Sequence, residues 1–182
     1  MTPPPSTATV AGQLCLSCGL CCDGTLFKDV ELQPGDDLSL LEAGGLSLLR
    51  RGATVKLTQP CTALDGCRCR VYSQRPTRCR EFECLLLKST LNGQTPVPKA
   101  LQIIRLGRQK AERVRRLLQE LGDENQRLPL SVRFRRMRQR FEKGGANEDA
   151  IERFGELTLA VHDLNVLLSQ AFYPGDAPPQ DA

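Results

Sequence analysis

Nine cysteines crowd into residues 15–84 and none follows, so half of this chain must fold around thiols and the other half without them. They are Cys15, Cys18, Cys21, Cys22, Cys61, Cys67, Cys69, Cys79 and Cys84. A chain of 182 residues has room for one ordinary domain, or for a small metal module with a helical extension, but not for two large domains. Met1-Thr2-Pro3-Pro4-Pro5-Ser6 has neither the basic start nor the apolar stretch of a secretory signal, and no apolar run reaches the roughly 18 residues a bilayer span needs. The expected location is therefore cytoplasmic, with no membrane contact. In that reducing setting dense cysteine points to metal rather than to disulfides. The odd count and the adjacent pair Cys21-Cys22 also fit a disulfide framework poorly.

Local patterns predict an α+β, mostly helical fold: an irregular cysteine-rich metal-binding module followed by a helical extension. We read residues 1–13 as a disordered tail, 14–98 as the module, 99–173 as helices packed on it, and 174–182 as a second disordered tail. Cys15 to Asp23 reads as a tight thiolate loop, and extended pieces are expected near Thr25–Leu32, Ala53–Thr58 and Arg70–Tyr72. Leucines from Leu38 to Leu49, broken by Gly44-Gly45, suggest a short helix, a turn and a second short element. Pro76 opens a helix that carries Cys79 and Cys84 to Ser89. Beyond it, apolar or small residues at Ile104, Gly107, Ala111, Val114, Leu118 and Leu121 step by three and four along one helix face. Ser131–Lys143 forms a second such helix. A third starts at the capping Asn147 and has Ile151, Phe154, Leu157, Val161, Leu164 and Leu168 on its stripe.

The spacing Cys15-x-x-Cys18-Gly19-x-Cys21-Cys22 lets a short loop turn several sulfurs onto one centre, with Gly19 supplying positive φ. Side chains of neighbouring residues diverge, so Cys21 and Cys22 cannot both easily ligate one tetrahedral ion. One of them turns to a second centre or bridges. Cys61, Cys69, Cys79 and Cys84, with Cys67 in addition, supply enough sulfur for a second tetrathiolate site with one cysteine left over. On a continuous helix residues 79 and 84 point roughly 140° apart, so they serve different centres or the helix is distorted between them. Arg68, Arg70, Arg75, Arg78 and Arg80 surround the late cysteines, and nearby cations favour thiolate over thiol.

At Cys15-Leu-Ser-Cys18-Gly-Leu-Cys21-Cys22, Cys61-Thr-Ala-Leu-Asp-Gly and Cys69-Arg-Val-Tyr-Ser-Gln-Arg-Pro-Thr-Arg-Cys79-Arg-Glu-Phe-Glu-Cys84, the chain resembles the CxxCxxCC cysteine-cluster family, also called the YkgJ family. That family is described as zinc- or iron-chelating, and a related cluster occurs in flagellin lysine methylases. The resemblance covers about residues 14–86 and implies Cys15, Cys18, Cys21, Cys22, Cys61, Cys69, Cys79 and Cys84 as metal ligands. Cys67 lies outside the family pattern and reads as a spare thiol.

Zinc suits closed thiolate sites and would order a loop-rich half. Cys15, Cys18 and Cys21 also reproduce the C-x2-C-x2-C run that gives three ligands to a [4Fe–4S] cluster. The leading expectation is a metal-binding protein for zinc or iron; the alternative is an iron–sulfur redox partner or part of a protein-modifying enzyme. No catalytic triad, phosphate loop or paired carboxylates stand out, and His162, the one histidine, reads as a surface or packing residue. Residues 99–143 hold 14 Lys or Arg against 5 Asp or Glu. Without stacking aromatics or a nucleic-acid fold, that charge reads as a solvated face or a dock for an acidic protein partner rather than as a nucleic-acid site.

Overall fold

A computed structural model describes residues 7–173, and it is α+β and mostly helical. The chain runs through helix α1 (Thr7–Cys18), strand β1 (Asp29–Glu31), helix α2 (Leu38–Ala43), strands β2 (Leu48–Arg51), β3 (Thr54–Thr58), β4 (Leu64–Asp65) and β5 (Arg68–Cys69), and five further helices. Those are α3 (Thr77–Glu81), α4 (Leu85–Leu91), α5 (Val97–Glu120), α6 (Leu130–Glu142) and α7 (Glu148–Ala171). Among the described residues, no helix is long and apolar enough to cross a membrane.

The N-terminus departs from expectation. Residues 7–13, expected in a tail, belong to α1, because Val10 and Leu14 sit four apart and bury on one face against the helical interior. Residues 1–6 and 174–182, the remainder of the two expected tails, lie outside the described residues. The thiolate loop is correspondingly shorter than expected, since Cys15 and Cys18 ride on the last turn of α1. The expected helix from Pro76 breaks at Phe82, whose ψ of 120° is extended, so Cys79 sits in α3 and Cys84 caps α4. Arg70–Tyr72 is not a strand; the extended pair there is β4–β5, joined through Gly66-Cys67, and Tyr72 begins a short 3₁₀ turn.

Two apolar interiors organise these elements. The larger joins α1, α4, α5, α6 and α7 through Val10, Leu14, Leu87, Ile104, Val114, Leu118, Leu157, Leu164 and Leu168. Asn147 caps α7 as its sequence predicts, its side chain accepting from the Ala150 amide at 2.9 Å. The smaller interior, Leu32, Leu41, Leu46, Leu57 and Ala63, lies under an antiparallel sheet ordered β1-β3-β2.

The Cys18–Thr25 connection is held between them. Gly19 (φ +72°) lets both the Cys22 and Asp23 amides donate to its carbonyl, at 2.9 and 3.0 Å. Gly24 (φ +79°) lies so near Pro129 and Pro60 that a Cβ would meet them at 3.0 and 3.3 Å. Leu20 plunges from this loop into the helical interior and is fully buried. Gly107 on α5 makes room for it, since a Cβ there would lie 3.1 Å from Leu20 Cδ1. Arg115 of α5 then clamps the loop from outside, donating to Asp23 at 2.7 Å and to Thr25 Oγ1 at 2.9 Å.

The basic segment is less free than its composition suggests. Arg133 is buried and pairs with Asp123 at 2.6 Å, Lys110 pairs with Asp163, Arg140 donates to the Leu121 carbonyl and Arg108 to that of Ser17. Of the arginines Arg133, Arg135, Arg136, Arg138 and Arg140 on α6, Arg133 is buried and the other four are exposed.

Leu20→Ala removes a fully buried side chain from the joint between loop and helices. We expect a loss of about 2–5 kcal/mol of stability, read as a lower denaturant midpoint in the helical circular dichroism signal. An unchanged midpoint would show that the loop is not anchored there.

Candidate metal centre

All nine cysteines are free thiols, and all nine line one cavity of about 560 Å³ that opens at the seam of the two interiors. Cys15 and Cys18 arrive on α1, one helical turn apart, and Cys84 arrives at the start of α4. Cys21 and Cys22 come from the glycine-bounded loop, with their sulfurs 3.6 Å apart. Cys61 is tied to that loop by its amide, which donates to the Cys22 carbonyl at 2.7 Å. Cys69 sits opposite Leu64 in the β4–β5 ladder, and the Leu64 amide in turn donates to the Cys61 carbonyl at 3.0 Å.

Cys79 owes its place to Asp36. That carboxylate accepts from the Gln33 amide and from both the amide and hydroxyl of Thr77, each at 2.8 Å, fastening α3 to the end of β1. Burial would raise the Asp36 carboxyl, but these bonds and Arg80 outweigh it and hold the group below its ordinary range.

Seven of these thiols are hard to ionise. Burial is the largest cause for Cys18, with Cys84, Cys15 and Asp23 adding repulsion, and its pKa is pushed up to about 12. Burial followed by Cys22 and Cys61 pushes Cys79 up to about 12. Cys22 is raised first by its contact with Cys21 and then by burial. Burial also raises Cys15, Cys61, Cys69 and Cys84. Cys15 is the exposed member of the set, its surface open to solvent even though protein atoms crowd its cavity side.

Two features oppose this cost. The backbone amides of Leu20, Ala63, Val71 and Leu86 each favour the thiolate of the cysteine two residues before them, Cys18, Cys61, Cys69 and Cys84. For Cys84 the Leu87 amide adds a bond to sulfur at 3.4 Å. Arg75 is the second feature. It lies on the cavity wall, its guanidinium 3.9 Å from the Tyr72 ring centroid and its Nε donating to the Tyr72 carbonyl, and its charge lowers Cys15, Cys22, Cys69 and Cys79 together.

This donor set suits a soft cation: many sulfurs line one cavity, and the Leu87 amide already donates to Cys84. The gathering is of backbone positions around one cavity rather than a finished tetrahedron. Among the described residues, no three Cys, His, Asp or Glu side chains stand close enough together to hold an ion as they are placed. Of the five arginines that sequence places nearby, Arg75 and Arg78 line the cavity; Arg70 donates to the Thr62 carbonyl and Arg80 to Thr77. Cys67, at the tip of the β4–β5 hairpin, lines the cavity too, 3.7 Å from the Cys18 carbonyl. His162 is exposed on α7. The amide donors escaped sequence reasoning, because they depend on local backbone turns; the clue was a residue two beyond each cysteine that is never proline.

Comparison with known proteins gives one family match. Residues 14–100 match the CxxCxxCC model, described as "Putative zinc- or iron-chelating domain". No curated protein and no solved structure matches the chain.

Two outcomes follow for the metal-free protein. Its raised thiols favour the protonated, folded state, so their stabilisation is complete below the ordinary thiol value of 9.0 and is lost as pH rises from there towards about 12. Denaturant midpoints of metal-free protein should therefore fall steadily above pH 9.0, and a flat profile would contradict the burial of these groups. Arg75→Gln should shift the alkylation of Cys22, Cys69 and Cys79 to higher pH by on the order of one unit, with Arg75→Lys close to wild type. Equal alkylation profiles in all three proteins would remove Arg75 from the site.

Proposed function

We propose, from the premise that residues 14–100 belong to the zinc- or iron-chelating CxxCxxCC family, that this chain binds zinc or iron through Cys15, Cys18, Cys21, Cys22, Cys61, Cys69, Cys79 and Cys84. The observation that carries the reading is the convergence of these eight on one cavity from five separate stretches of chain. Bound there, a soft cation supplies the positive charge that clustered thiolates otherwise lack. The protein's own residues do the rest. The amides of Leu20, Ala63, Val71 and Leu86 orient and stabilise four of the sulfurs, Arg75 compensates charge on the seam, and Asp36 holds α3 in place. Cys67 stands beside the set as a spare thiol.

A second reading, an iron–sulfur protein that passes electrons or supports a modification reaction, has its own support. Cys15, Cys18 and Cys21 have the spacing of a cluster-binding run, and amide bonds to sulfur are one means by which proteins set cluster potentials. Anaerobic purification followed by metal analysis and a visible spectrum separates the two. Stoichiometric zinc without visible absorbance favours the chelating reading, and iron with acid-labile sulfide favours the second. Reduced, folded protein that takes up neither metal would end both.

Metal removal should act unevenly along the chain. The smaller interior contains only five buried apolar residues under short strands, whereas α5 and α7 share the larger one. On chelation, amide exchange should accelerate across residues 25–84 while α5 and α7 stay protected. Uniform loss of protection would show that the helices need metal equally.

A further inference from the structure

We propose that the eight cysteines divide into two four-sulfur centres that meet at the Cys21–Cys22 pair. Cys15, Cys18, Cys21 and Cys84 form the one on the helical side, and Cys22, Cys61, Cys69 and Cys79 the one on the sheet side. The division rests on the metal-chelating reading above and adds to it which sulfurs act together.

Packing separates the sets. Cys18, Cys21 and Cys84 rest against the larger, helical interior, while Cys61 and Cys79 rest against the smaller one beneath the sheet. Cys15 belongs with the first group because it shares the last turn of α1 with Cys18, and α1 packs directly on α4, which Cys84 caps. Cys69 belongs with the second, through the Leu64 link to Cys61. Cys21 and Cys22 are consecutive, so their side chains leave the backbone in different directions. Cys21 packs on the helical interior, whereas Cys22 is hydrogen-bonded through its carbonyl to Cys61.

Each set has four sulfurs and so leaves no open position on a tetrahedral ion such as zinc or ferrous iron. Among the described residues, the side-chain contact between the sets within hydrogen-bonding range is the 3.6 Å approach of Cys21 to Cys22.

Paired substitutions in the full chain test the division, with cobalt(II) as the probe under anaerobic, reducing conditions. Wild type should take up two ions. Cys15→Ser with Cys84→Ser should leave one ion at wild-type affinity, and so should Cys61→Ser with Cys79→Ser. The crossed pair, Cys15→Ser with Cys79→Ser, cripples both centres and should leave no ion at that affinity, each weakened on the order of a hundredfold or more. Loss of all metal in a same-set pair would overturn the division in favour of one shared cluster. Retention of a wild-type ion by the crossed pair would overturn it as well.

A measurement on wild type needs no variant to fold. After loading one equivalent of cadmium, alkylation and mass spectrometry should find thiols protected in fours along the two sets. Joint protection of Cys15 with Cys61, but not with Cys18, would sink the division while leaving metal binding intact. Wild type that holds no cobalt, cadmium, zinc or iron would instead sink the chelating reading, and the division with it.

Discussion

Burial of clustered thiols governs this molecule. Two ionised sulfurs at the 3.6 Å separation of Cys21 and Cys22 would oppose each other by about 4–5 kcal/mol at an effective dielectric of 20. Burial is the larger cost, and with the neighbouring sulfurs it holds Cys18 and Cys79 protonated well above the usual thiol range. Arg75 and the amides at Leu20, Ala63, Val71 and Leu86 lower the cost without removing it. Folding thus assembles a cavity in which positive charge is wanted and only partly provided.

Such crowding requires a scaffold that does not depend on the thiols. The helical interior is that scaffold, with α5 and α7 as its long members and fully buried Leu118, Leu157 and Leu168 between them. Leu20 transmits its rigidity to the cysteine loop, and Arg115 fixes the loop's outer edge at Asp23. The C-terminal helices are consequently a wall of the site's own domain: Ile104 and Phe172 line the same cavity as the cysteines. The sheet side has fewer apolar residues and relies on polar fastenings such as Asp36 to Thr77.

Much of this was legible in the order of residues. The three long helices lie within two residues of where periodicity places them, and Asn147 caps the last as read. Their stripes are wide and regular, which leaves one burial solution. The 79–84 spacing called for different centres or a distorted helix, and the helix does break at Phe82. Short elements were harder. Residues 7–13 look like tail because Pro, Ser and Thr precede them, yet Val10 and Leu14 find a partner in α5, which no local pattern announces. Charge counts alone also do not show that Arg133 of α6 turns inward, where Asp123 pairs with it.

Composition and spacing alone settle that thiols dominate the first half, that three amphipathic helices fill the second, and that residues 14–100 match the CxxCxxCC family model. These are properties of periodicity and of residue type, so they survive without coordinates. That the sulfurs share one cavity, and that Arg75 and Arg78 rather than Arg68, Arg70 and Arg80 line it, emerges only when α1, α3, α4 and the β4–β5 hairpin meet. The meeting of segments as far apart as residues 15 and 84 is set by packing against one shared interior. Linear spacing holds no record of that.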